Sequence, residues 1–220
     1  MKTLTELLAD PTVVGEVERA WDDVTLRFEQ AAAHKPRRFM EREELSFHDY
    51  VKLLGYLAVG LRGTPGDILE IGVWKGKSLA FMRTLAGAGT RVIGIDPCAL
   101  PGQAEELAYF QQAVYPDCAV VQRFSQEGVE DVVRLSRTLK LVHIDGGHER
   151  HHVWTDFLLY ERFVVPGGYI VFDDYVDPEW SPDVKPAVDA LHAGGFFDGY
   201  DVIGLVPGFE CGFVIRKRPA

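Results

Sequence analysis

The sequence predicts an α/β fold: a Rossmann-like, doubly wound seven-stranded sheet, mostly parallel with an antiparallel C-terminal hairpin, plus N-terminal helices. Three observations point there. After the turn signal RGTPGD, short runs rich in Val, Ile and Leu alternate with helix-like stretches. Strands that are apolar on both sides belong to a parallel sheet covered by helices on both faces. The last two runs have only VPGFE between them, too short for a parallel crossover, so they should pair antiparallel.

The elements follow in order. Residues 1–62 read as a helical cap or lid segment, ahead of a cofactor-binding domain over 63–220. Asp10-Pro11 is a helix start, an acid that caps followed by proline at the first helical position. Val14, Val17, Trp21, Leu26 and Phe28 then form an apolar face to about residue 33. HKPRRFMEREE, residues 34–44, interrupts with charge and a proline. Ser46, with Asp49 three residues on, opens a second helix, SFHDYVKLLGYLAVGL. The strand runs are ILEIG (68–72), RVIGID (91–96), AVVQRF (119–124), KLVHID (140–145), YIVFDD (169–174), YDVIGL (200–205) and CGFVIR (211–216). Helices are expected near 76–87, 103–114, 126–137, 150–164 and 183–193. Within the fourth, Val153, Phe157, Tyr160 and Val164 follow a core stripe, and Tyr169, Phe172 and Phe196 also read as core.

Composition excludes several classes. A formal net charge of −10 argues against a nucleic-acid footprint, which needs a basic face, though a few local donors could still hold a small anion. Cys98, Cys118 and Cys211 are too scattered for a disulfide framework or zinc knuckle and read as buried thiols of a reducing compartment. Acids interrupt the N-terminus before any signal-like run develops, and no apolar stretch is long enough to span a bilayer. The expectation is a soluble, cytoplasmic protein.

The chemistry gathers at strand ends. In a doubly wound sheet, ligands bind outside the carboxyl ends of the strands. ILEIGVWKGKSLAFM supplies the first turn, with Glu70 on the strand and Gly72, Gly76 and Ser78 opening a helix whose free N–H groups suit an anion. The spacing is G-x-x-x-G, neither the dinucleotide fingerprint nor a P-loop. Asp96 ends the next strand, where a carboxylate accepts from ribose hydroxyls, and Glu70 could accept from an ammonium. Amine, carboxylate and ribose together describe S-adenosyl-L-methionine better than NAD. Any βαβ turn needs glycines, so the motif gains its weight from the two acids.

Asp145 ends the fourth strand and Asp173 and Asp174 end the fifth, and adjacent strands bring those ends together. Three neighbouring carboxylates repel, and either one protonates or a cation compensates. A hard divalent ion, Mg²⁺ or another, resolves the conflict and can chelate vicinal hydroxyls of an acceptor. His148, on the same loop, can take the proton as general base. Singly, each acid could instead cap local N–H groups. His151 and His152 read as solvated, and Asp156 as exposed or near a cap.

EIGVWKGKS, GIDP, HIDGGH and VVPGGYIVFDDY together resemble the class I S-adenosylmethionine-dependent methyltransferases, over about residues 66–216. Within them the chain most resembles the metal-dependent macrocin and mycinamicin type of sugar O-methyltransferase. That resemblance implies Glu70, Gly72 and Ser78 along the methionine portion, Asp96 on the ribose, and Ser125 and Gln126 near adenine. It also implies Asp145, Asp173 and Asp174 as metal ligands and His148 as base. The implied reaction is O-methylation of a small hydroxylated acceptor, a sugar of an antibiotic or other secondary-metabolite pathway. Alternatives are catechol-type acceptors, a hydroxylase on the same fold, a nucleotide-binding oxidoreductase and a non-catalytic binding subunit. Residues 34–44 could close over the cofactor, with Arg37 or Arg38 meeting a carboxylate and Phe39 or Met40 excluding water. Tyr175 and Trp180 are placed to touch the acceptor, and the N-terminal helices could pair between subunits of a homo-oligomer.

Overall fold

One sheet of seven strands runs in the order β3-β2-β1-β4-β5-β7-β6. The structure is a computed structural model and describes residues 2–42, 45 and 48–219. β1 (Asp67–Ile71) is central, between β2 (Val92–Ile95) and β4 (Leu139–Ile144), with β3 (Ala119–Val121) and β5 (Val164–Phe172) outside them, all parallel. β7 (Phe209–Lys217) pairs antiparallel with both β5 and β6 (Tyr200–Val206), the hairpin expected from its short connection.

Eight α-helices are described: α1 (Leu4–Ala9), α2 (Pro11–Ala33), α3 (Lys52–Gly60), α4 (Lys77–Leu85), α5 (Gln103–Val114), α6 (Val129–Leu135), α7 (Arg150–Tyr160) and α8 (Val184–Ala193). Successive strand residues face opposite sides of a sheet, and the core divides accordingly. Ile68, Val92, Leu141 and Val171 join a cluster with α1 to α5, whereas Leu69, Ile93, Val142 and Ile170 join α6 to α8. Strands apolar at every position are thereby explained: each side has helices to bury against.

Asp10 caps α2 by accepting from the Thr12 N–H, with Pro11 in the first turn. The buried stripe is Val13, Val17, Ala20, Trp21, Val24 and Phe28. Leu26, expected on that face, is 53% exposed because the helix turns it away, and Val14 is only partly covered. Trp21 meets Phe81 edge-on at 5.1 Å and Phe28 stacks on Phe110 at 5.0 Å, so α2 lies across α4 and α5. The short helix α1, started by a Thr3–Glu6 capping box, escaped the sequence pattern. The expected cap at Ser46 lies outside the described residues; a 3-10 turn over Asp49–Val51 leads into α3.

Between α2 and that turn, residues 34–42 lie against the sheet's carboxyl edge. Lys35 reaches the buried Glu106 at 3.0 Å, and Lys75 approaches the same oxygen at 3.6 Å while donating to the Arg42 carbonyl at 2.9 Å. Arg37 rests on the Phe39 ring and Arg38 donates to the Met40 and Glu41 carbonyls, so it is Arg42 that lines the cleft. Met40 is buried.

Other boundaries shift for local reasons. β3 stops at Val121 because Arg123 N–H turns back onto that carbonyl. Phe196 is 44% exposed and Phe197 is the buried partner of Phe157 and Phe172, a one-residue displacement past the end of α8. Cys118 is buried, but Cys98 and Cys211 are only half-buried; all three are free thiols. Among the described residues no helix is long and apolar enough to cross a membrane.

Gly72 fixes the junction of the two strand ends that matter most. It has φ +84°, and a Cβ there would overlap the Asp145 carbonyl oxygen. Gly72→Ala should therefore cost about 2–4 kcal/mol, from left-handed strain plus backbone overlap. The check is the urea midpoint at constant m-value; a loss below about 0.5 kcal/mol would mean that the two loops separate cheaply.

Candidate active site

The loops after β1 to β5 enclose a cleft of about 490 Å³ at the carboxyl edge of the sheet. Gly72, Ser78, Asp96, Ser125 and Gln126 line one part of it; Asp145, His148, Asp173 and Asp174 line another. Glu70 lies beneath the floor, fully buried, and Gly76 packs at the start of α4 against Tyr115, whose hydroxyl donates to the Lys75 carbonyl at 2.9 Å.

The acids meet because β4 and β5 are paired in register. Ile144 faces Phe172, and the Asp173 N–H donates to the Ile144 carbonyl at 2.9 Å, so Asp145 and Asp173 leave the sheet side by side. Asp174 follows at φ 56°, a left-handed conformation that Asp tolerates. Donor atoms of Asp145, His148 and Asp174 all lie within 4.8 Å of one another, as do those of His143, Asp145 and Asp173. Burial, then the Asp173 charge, raises the Asp145 carboxyl well above its ordinary value; the same two causes raise Asp174.

His148 is held on both nitrogens. Nε2 lies 3.1 Å from Asp174 Oδ2, and Nδ1 lies 2.8 Å from Ser181 Oγ, which also donates to Asp174 at 3.0 Å. Ser181 was not singled out in the sequence, where its loop offered only aromatic candidates. Of these, Tyr175 turns into the core and donates to Asp189 at 2.6 Å, while Trp180 is 75% exposed.

A second residue missed by the sequence pattern is His143, buried within β4. Its Nδ1 donates to Glu70 Oε1 at 2.9 Å, and Nε2 lies 3.7 Å from Asp173. Burial opposes its charge, but the facing Asp173 and Glu70 carboxylates outweigh that and raise its pKa well above the ordinary imidazole value. A histidine inside an otherwise apolar central strand must find such a partner, and that was the available signal. Glu70 Oε2 remains buried without a hydrogen-bond partner. Tyr50, from the 3-10 turn, also lines the cleft; burial and the facing Asp173 raise its phenol above the usual range.

Asp96 is saturated. Its Oδ2 accepts from the Val73 and Trp74 N–H groups at 2.8 and 3.1 Å, and Oδ1 from Cys98 N–H and Gln103 Nε2 at 2.7 and 3.1 Å. At the far end, Ser125 Oγ donates to Asp156, which the sequence suggested was exposed but which is 3% exposed. The register of α7 turns Asp156 inward beside Val153 and Phe157, and burial pushes its carboxyl up to about 6. His151 is exposed, whereas the half-buried His152 lines the cleft.

Residues 69–175 match the family described as a methyltransferase domain. An uncharacterized protein of Acanthamoeba polyphaga mimivirus is 34% identical over 184 residues, 79% of this chain and 82% of that one. Among solved structures, the O-methyltransferase NovP superposes with a TM-score of 0.65 at 16% identity, covering 91% of this chain and 100% of its own. The methyltransferase MycE of the mycinamycin pathway, solved with Mg, SAH and mycinamycin VI, gives 0.52 at 21% identity over 72% of this chain and 47% of its own. At these identities the two structures speak to fold.

The acid cluster has a consequence for stability. Asp145 and Asp174 titrate above their ordinary value of 3.8, so the folded chain binds more protons than the unfolded one above about pH 4, and stability falls as pH rises through the raised values. Asp174→Asn removes one charge and keeps a side chain that tolerates φ 56°. In EDTA near pH 7.5 it should melt about 2–4 °C above the parent, on the order of 1 kcal/mol, with the gap closing toward pH 4. A variant that melts lower near pH 7.5 would show the three acids to be locally satisfied.

Proposed function

Given that the chain belongs to the methyltransferase-domain family, and is a class I S-adenosylmethionine-dependent methyltransferase, we propose that it methylates a hydroxyl oxygen of a small molecule with a divalent cation assisting. One observation carries the proposal: Asp145, Asp173, Asp174 and His148 converge on one wall of a cleft whose other wall suits the methyl donor.

The donor's fit rests on this chain's unmet polar groups. Glu70 Oε2 is a buried acceptor with no partner, suited to an ammonium directly or through water. The start of α4, with Gly72, Gly76 and Ser78 around it, offers N–H groups to a carboxylate. Asp96 would take a ribose hydroxyl in place of a present donor, and Gln103, a side chain, yields more easily than the backbone N–H groups. Ser125 and Gln126 would border adenine. When bound, S-adenosylmethionine supplies an electrophilic methyl on a cationic sulfur.

Pairs of these carboxylates bring oxygens within 4.8 Å, in groups completed by His143, His148 or Cys211. An oxygen-rich set of this kind would suit Mg²⁺ or a similar hard ion, which would lower the pKa of a coordinated hydroxyl. His148 accepts the acceptor's proton at Nε2 once Asp174 turns toward Asp145 and Asp173, while Ser181 keeps the ring in place through Nδ1. Alignment of oxygen, methyl carbon and sulfur does the rest. Residues 1–62 act as the cap of the 63–220 domain; within them 34–42 screen the cleft from water and Tyr50 faces the acceptor. An acceptor with vicinal hydroxyls, a secondary-metabolite sugar before a catechol, suits such a cation.

The test is transfer of labelled methyl from S-adenosylmethionine to a panel of glycosides, nucleotide sugars and catechols. Turnover should vanish in EDTA and return with Mg²⁺. His148→Ala should lose about 10²–10⁴-fold in kcat, with affinity for S-adenosylhomocysteine changed less than about twofold. Turnover indifferent to EDTA would remove the cation from the proposal, and an unimpaired His148→Ala would remove the base.

A further inference from the structure

Asp156 is the one acid buried on α7 among Val153, Phe157 and Tyr160. A carboxylate in such surroundings is costly unless it serves a partner, and its partner is the Ser125 hydroxyl at the cleft wall. One helical turn on, Tyr160 donates its hydroxyl to the Ser125 carbonyl at 2.8 Å. Residues four apart share a helix face, so α7 grips Ser125 at side chain and backbone together. Opposite, a Cβ at Gly146 would stand 3.0 Å from Asp156 Oδ2, so no side chain at that position covers the carboxylate, and both residues line the cleft.

The direction of the Ser125–Asp156 bond follows from charge. An ionised carboxylate has no proton to give, so the hydroxyl hydrogen lies toward Asp156. Gln126 Oε1, at 3.2 Å, competes for that hydrogen as a neutral acceptor and loses to the charged one. The remaining lone pairs of Ser125 Oγ are then available only as acceptors. Gln126 itself cannot discriminate, because its amide presents either oxygen or nitrogen by rotation.

We infer that Asp156 is a positioning residue that makes Ser125 an obligate hydrogen-bond acceptor, and so selects a purine carrying a 6-amino donor over one carrying a 6-oxo acceptor. This rests on the proposed binding of S-adenosylmethionine and adds how its base is told from other purines. Neither residue touches the reacting atoms; the effect is on which nucleoside enters.

Calorimetric titration with S-adenosylhomocysteine and with S-inosylhomocysteine, its 6-oxo counterpart, tests this on the full chain. The parent should prefer the adenine form by about tenfold or more, and Asp156→Asn and Ser125→Ala should bind the two within about threefold. A purely structural role predicts instead a lower melting temperature without ligand and an unchanged ratio. Asp156→Asn should melt at or above the parent, because it removes a charge that burial disfavours. Retention of the parent's ratio in either variant, or no preference in the parent, would overturn the inference. A parent that binds neither compound would overturn the cofactor assignment itself, a different outcome from binding both equally. Should the Asn variant fail to fold, Ser125→Ala, at a half-buried loop position, decides alone.

Discussion

Parallel pairing of β4 with β5 is the constraint from which the rest follows. Hydrogen bonding in register leaves Asp145 and Asp173 no freedom to separate, and the left-handed backbone at Asp174 adds a third carboxylate beside them. The sheet is stabilised by what it buries on both faces, so the fold tolerates the repulsion at its edge. His148 and Ser181 from the loops, and His143 from within the strand, arrange themselves around that charge.

His143 also joins the two halves of the cleft. The glutamate under the β1 turn and the aspartate at the end of β5 are four strands apart in sequence, yet one imidazole lies between them, 2.9 Å from the first and 3.7 Å from the second. Adjacent central strands make this inevitable: Glu70 pairs with His143, and His143 with Val171, two residues before Asp173. Buried polar networks of this kind are worth having only when all members are satisfied, and Glu70 Oε2 is the member still waiting for a partner.

Much of this was legible in the chain itself. The seven strands, the final hairpin and the meeting of Asp145 with Asp173 follow from near-continuous apolar runs alternating with helical stretches and from connection length, both local signals. What escaped was tertiary. Asp156 and Leu26 were misjudged because a helix's buried face is set by what it packs on, and α7 has little amphipathic contrast to reveal it. Ser181 reaches the site from a loop whose path no periodicity describes, and Tyr50 from a 3-10 turn where a helix was expected. Arg42, and not Arg37 or Arg38, lines the cleft, in a segment held by Lys75 and Glu106, both distant in sequence.

Asp96 closes the picture. With four donors drawn from the segments after β1 and β2, it acts as a keystone between them. Three of those donors are the main-chain N–H groups of Val73, Trp74 and Cys98, and the fourth is the Gln103 amide, so the shape of the opening is inherited from a single carboxylate. Lengthening it by one methylene would shift both rims together. Gln103 is the one side-chain donor among the four, so an engineer widening this opening should begin with Asp96 and Gln103 together.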